Sequence, residues 1–359
     1  MSVARSSFAA VLGAGLLAIS ACNSGSDTAA DGGAGAGGLL ALAGGNGGAG
    51  AGGSPASAGG GAGASTEAKL APDPLYGSFT LRLVPAVEAT ALSPAAAAQT
   101  SFIGFVTDGE TPVAKSWVQD QMANGCTLYT PKAPFCDPAC GSSAVCVSDG
   151  QCVKNPTSKP VGTITLKGLK DGDVSMTPLG SNNNYQPKAG TMLPYPPCDE
   201  GGSVSVVVEG GAYKGFELKS RCIAPLEFSK DLKLVKNTPA KIEWKAASDK
   251  QLARIKVRLD ISHHGGSRGK IECDVEDNGS VELTAAMVTK LLELGVAGYP
   301  TVILTRIVSG GVASGEPEHV QFIVQQSVER AVESDGLLSC TDDSQCPAPK
   351  ICQSDLTCK

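Results

Sequence analysis

Beyond residue 75 the chain alternates apolar and polar side chains with a period of two. The cleanest run is Arg254 to Ile261, where Ile255, Val257, Leu259 and Ile261 alternate with Arg254, Lys256, Arg258 and Asp260. That is the pattern of a half-buried antiparallel strand. Ile271, Cys273 and Val275 repeat it after a glycine-rich turn, so 254–275 reads as a β-hairpin. Further strands are expected at Gly77–Val84, Val161–Leu169, Ser203–Glu209, Lys214–Lys219, Lys241–Lys245, Thr301–Ile307 and His319–Val332. One stretch switches to a helical period: Thr284 can cap its start, Gly295 can end it, and Met287, Val288, Leu291, Leu292 and Leu294 form its apolar stripe. Many short strands broken by Gly, Pro and Asn clusters favour a sandwich over a parallel sheet. The expected fold is mainly β: an antiparallel β-sandwich with one short helix and two small disulfide-rich knobs, after a disordered N-terminal tether. Trp244 is then a core residue.

The N-terminus follows different rules. Arg5 precedes the apolar run Phe8–Ile19, which suits a signal-peptide core and is short for a membrane span. The run closes on Ile19-Ser20-Ala21-Cys22, which resembles the lipobox of bacterial lipoproteins. That resemblance implies cleavage before Cys22 and acylation of its sulfur, a hold stronger than one chain gives. Asn23, in place of an aspartate, leans the expected location toward the outer membrane. Residues 23–69 are mostly Gly, Ala and Ser without an aromatic, so they cannot build a core. As a flexible coil they would span roughly 35–40 Å. Gly33, Gly35 and Gly38 fit a dinucleotide fingerprint, but low-complexity sequence stands where its strand and helix should be.

Cysteine arithmetic organises the rest. Of 13 cysteines, removing Cys22 leaves an even set, as expected of a disulfide framework in an oxidising compartment. Cys140-GSSAV-Cys146-VSDGQ-Cys152 and Cys346-PAPKI-Cys352-QSDLT-Cys358 share one spacing, and Cys136 and Cys340 complete each set of four. These are two copies of one small knob, the second of which resembles the cysteine-rich modules of Dickkopf-type extracellular proteins. Four cysteines permit three connectivities. First-to-third and second-to-fourth pairing is favoured here: Cys136–Cys146 and Cys140–Cys152, then Cys340–Cys352 and Cys346–Cys358. Cys198 and Cys222 flank a hairpin and should pair, leaving Cys126 with Cys273. The expected organisation is a leader (1–21), a tether (22–72), an N-terminal β segment (73–134), a first knob (135–154), the sandwich (160–335) and a second knob (339–359).

Candidate chemistry is sparse. A net charge of −6 without a basic run excludes a nucleic-acid footprint. Gly265-Gly266-Ser267-Arg268-Gly269 matches a nucleophile elbow, with His263 and His264 before it, but an alternating strand follows where the elbow needs a helix. The two histidines, adjacent in an extended chain, point to opposite faces, which makes a shared metal awkward. Asp274, Glu276, Asn278, Gly279 and Glu282 fit the early positions of a calcium loop, yet Ala285 stands where the bidentate glutamate belongs. An EF-hand is rejected; a looser calcium site among Asp274, Glu276 and Asp277 remains as a candidate. Zinc in the knobs is disfavoured by the repeated five-residue spacing and the lack of nearby histidine. No cofactor and no catalytic residue are expected.

Taken whole, the body resembles cysteine-rich surface lipoproteins of myxobacterial type, on Gly125-Cys126-Thr127-Leu128, Pro134 to Pro138, Ile271 to Val275 and the Ser339-Cys340 knob. The resemblance implies no activity. The expected role is a lipid-anchored, non-enzymatic envelope protein whose partners are the membrane and a glycan or surface-protein ligand. A self-assembling structural component is the alternative, and a hydrolase using Ser267 a distant third.

Overall fold

The computed structural model describes residues 76–89, 94–228, 230–310 and 319–359. The leader, Cys22 and the 22–72 tether lie outside the described residues. In chain order the strands are β1 (Gly77–Val84), β2 (Gln99–Val106), β3 (Trp117–Ala123), β4 (Cys126–Pro131), β5 (Ala144–Ser148), β6 (Gln151–Lys154), β7 (Ile164–Lys167), β8 (Val174–Met176) and β9 (Ser203–Gly210). They continue with β10 (Lys214–Arg221), β11 (Leu232–Leu234), β12 (Ala240–Glu243), β13 (Arg254–Asp260), β14 (Lys270–Glu276), β15 (Ser280–Leu283), β16 (Thr301–Gly310) and β17 (Val320–Ser334). Among the described residues there is one α-helix, α1 (Ala285–Glu293), and a single 3-10 turn at Asp343–Gln345. The fold is mainly β.

The helix begins where its sequence says it should. Thr284 is extended and its hydroxyl accepts a hydrogen bond from the Met287 amide at 3.3 Å, which satisfies one of the orphan donors of the first turn. Gly295 follows at φ +92°, a left-handed conformation that glycine adopts without steric cost. Met287, Val288, Leu291 and Leu292 are buried, and Leu294 packs beside them half-buried.

The large sheet runs in the order β2-β1-β17-β16-β13-β14-β4-β3, with β11 added alongside β17. Its pairs are antiparallel except β1 with β17 and β11 with β17, which are parallel. Alternation says which face a strand buries and nothing about the direction of its neighbour, so these two pairings are invisible in the sequence pattern. The N-terminal segment 73–134 therefore does not stand apart from 160–335: β1 to β4 are strands of the same sheet as β13, β14, β16 and β17.

The second sheet, β10-β9-β7-β8, shares one core with part of the large sheet. Phe79, Leu81, Phe102, Ile164, Val206, Leu218 and Phe322 meet there, all nearly or wholly buried. A second core gathers Leu128, Val257, Leu259, Ile271 and Leu304 with Ile242 and Leu283 of the β12–β15 pair and the buried stripe of α1. Full burial of such a side chain stabilises by about 1.5–3 kcal/mol. The long strands β16 and β17 serve both cores. On β16, Val302 and Leu304 enter the second and Val308 the first; on β17, Val320, Phe322 and Val324 enter the first and Val328 and Val332 the second.

Candidate functional site

Between the two cores lies a polar seam. Arg306 occupies the inward position between Leu304 and Val308 and is 1% exposed. Asp277, at the β14–β15 turn, is fully buried and accepts from the Arg306 Nε at 2.7 Å. The same carboxylate accepts from the Trp244 indole Nε1 at 2.7 Å. The remaining guanidinium donors reach the main-chain oxygens of Ala224 (3.1 Å), Pro225 (2.9 Å) and Lys245 (2.6 Å). Gln326 stands directly opposite Arg306 on β17 and accepts from the Leu226 amide at 2.7 Å. A buried charge is tolerable only when paired and fully hydrogen-bonded, and here both conditions hold. Trp244 is a core residue, and its polar edge completes the seam.

This arrangement corrects the calcium candidate. Asp277 is committed to Arg306 and Trp244 in the interior and cannot share an ion with Asp274 and Glu276, which lie exposed on the outer face of β14. Asp274 accepts from the Arg254 Nε at 2.7 Å and the Lys256 Nζ at 2.5 Å. Burial pulls its pKa up, but those two cations outweigh it and hold the carboxyl below its usual range. Glu276 accepts from the Asn278 amide at 3.0 Å. The outer face of the β13–β14 hairpin is thus a charge ladder in which Arg254, Lys256, Arg258 and Asp260 face Glu276, Asp274, Glu272 and Lys270 across the strands. Lys270 ends it, its ammonium 2.6 Å from Glu272 and 4.3 Å from the Trp117 ring centroid.

At the other end of the ladder the β3–β4 turn and the strand β15 enclose a shallow groove of about 460 Å³. Arg254, Asp274 and Glu276 form one wall, and Asn124, Asn278, Ser280 and Glu282 the rest, over Val275 and Val281. Asn124, at φ +52°, donates its amide to the Glu282 carbonyl at 3.1 Å. Asp274, Glu276, Asn278 and Glu282 stand out in the sequence as early calcium-loop positions, whereas Asn124 carries no such signal and its hydrogen-bond partner Glu282 is 158 residues away.

The hydrolase constellation does not assemble. Ser267 is exposed in a turn that leads into β14, so no helix N-terminus supplies the backbone donor an elbow requires. His263 and His264 lie in the same loop with ring centroids 4.0 Å apart, and His264 takes a left-handed φ of +64°. That backbone kink removes the extended geometry the sequence pattern assumes and sets the rings side by side, tilted by 53°.

The structure brings the cysteines together as Cys126–Cys273, Cys136–Cys146, Cys140–Cys152, Cys198–Cys222, Cys340–Cys352 and Cys346–Cys358. Cys126 and Cys273 are register partners on β4 and β14, and their bond closes a loop with a sequence separation of 147. In the simple chain-entropy model that stabilises by about 4–5 kcal/mol. Sulfurs of Cys136, Cys140 and Cys146, and of Cys340, Cys352 and Cys346, lie within 4.8 Å of one another because two disulfides pack side by side in each knob. A sulfur already bonded to sulfur is not the thiolate that zinc requires.

The second knob docks on the body: Gly298 donates to the Asp355 carbonyl at 2.7 Å, and the Ser339 hydroxyl to the Gly298 carbonyl at 2.6 Å. The first is more exposed. Phe135 is 71% exposed while its amide donates to the Asp149 carboxylate and its carbonyl accepts from Gly150.

No protein-family model matches the chain, and no curated protein matches it. Among solved structures, the chicken CNTN1 FN1-FN3 domains match at 11% identity and a TM-score of 0.20, over 66% of this chain and 78% of that one. A structure concerning host cell surface retention of a 1.5-MDa bacterial ice-binding adhesin matches at 8% identity and a TM-score of 0.14, over 66% and 74%. At these TM-scores neither likeness carries an argument. Among the described residues no helix is long and apolar enough to cross a membrane. Each described cysteine is in a disulfide, which points to an oxidising compartment outside the cytosol.

Proposed function

We propose that this protein is a lipid-anchored, non-enzymatic component of the cell envelope that binds a glycan or another surface protein. The observation that carries the reading is the fate of the chemistry-bearing residues. Asp277 is spent in the interior, Asp274 is saturated by two cations, and Ser267 stands in a turn without a helix. The body so built is cross-linked between β4 and β14 and between Cys198 and Cys222, with each knob closed by its own two disulfides, and is suited to present fixed surfaces rather than to turn over a substrate. The lipobox resemblance at Ile19 to Cys22 supports the anchor, and the glycine-rich stretch behind it supports display away from the lipid.

The test has two arms. Labelled fatty acid should enter the wild-type chain and not Cys22→Ser; equal incorporation removes the anchor. The oxidised Cys22→Ser chain should bind, saturably, one fraction among envelope polysaccharide, peptidoglycan and outer-membrane protein. Failure to bind any of them, together with self-association in sedimentation, would replace recognition with a structural role.

A further inference from the structure

The groove at the end of the charge ladder has the chemistry of a saccharide site, and this deepens the reading above and rests on it. Its groups are planar and polar, and several are only half used. Arg254 spends its Nε and Nη2 on Asp274 (2.7 and 2.8 Å), leaving Nη1 without a partner among the described residues. Glu276 accepts through Oε2 alone, from Asn278 at 3.0 Å. Asn124 uses its Nδ2 on the Glu282 carbonyl, leaving its amide oxygen, while the Glu282 carboxylate has no hydrogen-bond partner among the described residues. Arg254 and Lys256 both bind Asp274, Arg254 also faces Glu276, and Lys241 stands opposite Glu282, so these cations offset the carboxylates and the groove offers carboxylate acceptors, one guanidinium edge and two amides without a net charge.

That surplus selects its ligand. Acceptors in excess call for a ligand that donates hydrogen bonds, as sugar hydroxyls do, and with the cations already facing Asp274, Glu276 and Glu282 the groove keeps no spare positive charge for a uronate, phosphate or sulfate. A protein partner would want an apolar centre to the patch, and here Val281 is buried in the second core and Val275 only partly exposed. A metal is a poor fit, because among the described residues only cysteine sulfurs bring three ligand atoms within 4.8 Å. The wall is also fixed in advance. The Cys126–Cys273 disulfide lies one residue from Asp274, and the Asp274 amide donates to the Gly125 carbonyl at 3.0 Å. Groups held in place before binding lose little freedom on contact. We propose that the groove lined by Asn124, Arg254, Glu276, Asn278 and Glu282 binds a saccharide that carries no anionic group.

The probes are neutral gluco-, manno- and galacto-oligosaccharides, a glucosamine oligomer and, as the anionic arm, oligogalacturonate, each titrated against the oxidised Cys22→Ser chain. Saturable binding of a neutral or amino oligosaccharide and none of oligogalacturonate is expected. Glu276→Gln with Asn278→Ala should weaken it by about tenfold or more, and Ser280→Trp should block it by filling the groove. Glu329→Gln, at an exposed position on β17 in the other half of the sheet order, should bind as the parent does, and near-ultraviolet circular dichroism should show all variants folded. Unchanged binding in the groove variants overturns this site and leaves glycan recognition standing. A preference for oligogalacturonate overturns the ligand class. Binding of no oligosaccharide overturns both the site and the glycan reading.

Discussion

The two cores of this protein are built from the same alphabet and differ in what covers them. In the first, sheet lies on sheet: Phe79, Phe102 and Phe322 on the large sheet meet Ile164, Val206 and Leu218 on the small one. In the second, one sheet is covered by α1, the short β12–β15 pair and the loop carrying Leu226 and Phe228. β16 and β17 run through both, so the cores share two strands while their covering elements differ. What keeps them distinct is the seam of Arg306, Asp277, Trp244 and Gln326, where close packing gives way to directional hydrogen bonds. Apolar packing tolerates substitution of similar volume, whereas a buried charge tolerates almost none. The seam is thus the least forgiving place in the body.

The largest effect is expected there. Asp277→Ala leaves Arg306 charged and unpaired and the Trp244 N–H unsatisfied, and should lower the free energy of unfolding by about 3–5 kcal/mol in a guanidinium titration. Arg306→Met combined with Asp277→Leu should recover most of that loss, because replacing both partners removes the uncompensated charge. A loss under about 1 kcal/mol in Asp277→Ala would mean that water reaches the seam and that the cores are not divided as described.

A smaller change should separate the cores. Thr284→Ala removes the cap of α1 and should cost about 1 kcal/mol. Hydrogen exchange should then quicken in α1, β12 and β15 while β9 and β10 keep their protection. Equal quickening in both places would show that the two cores open as one unit.

Acid should act most weakly and on both sides. Glu243, on β12, is held down from 4.5 to about 2 by hydrogen bonds from Lys230 and Lys241. On the first core's side, Asp108 lies below its ordinary value through the Thr157 amide and then Lys159, and Glu209 through Thr163. A folded pKa below the unfolded one contributes stability above the unfolded pKa that is lost as pH falls through the folded one. Thermal stability should therefore be flat near pH 7 and decline from about pH 4.5 toward pH 2. These groups are exposed, so added salt should shrink the slope. A decline that begins near pH 6 would point to a different titrating group.

The strand pattern was legible because alternation is a local signal: Ile255, Val257 and Leu259 face inward in the structure as their spacing requires. The Thr284 cap and the Gly295 stop were legible for the same reason. The seam was half-visible. Arg306 stands in register with Val302, Leu304 and Val308, an inward position no unpaired cation should take, yet its partner 29 residues away sits in an acidic turn that reads as a calcium candidate. A carboxylate on an acidic turn looks the same in sequence whether it faces water or an arginine. The groove was less legible still, since Asn124 meets Glu282 only after the β3–β4 turn is carried to β15 by a sheet whose strand order skips across the chain.

By itself the sequence determined the period of two, the single capped helix, the repeated knob spacing and the even cysteine set of the body, because each rests on residues close in the chain or on a count. Tertiary structure alone decided that β1 lies parallel to β17, that one long hairpin feeds two cores, and that Asp277 turns inward while Asp274 and Glu276 turn out. A side chain's neighbours within a few residues follow from backbone geometry. Its partners across the fold follow from which arrangement buries the apolar faces and leaves no buried charge alone.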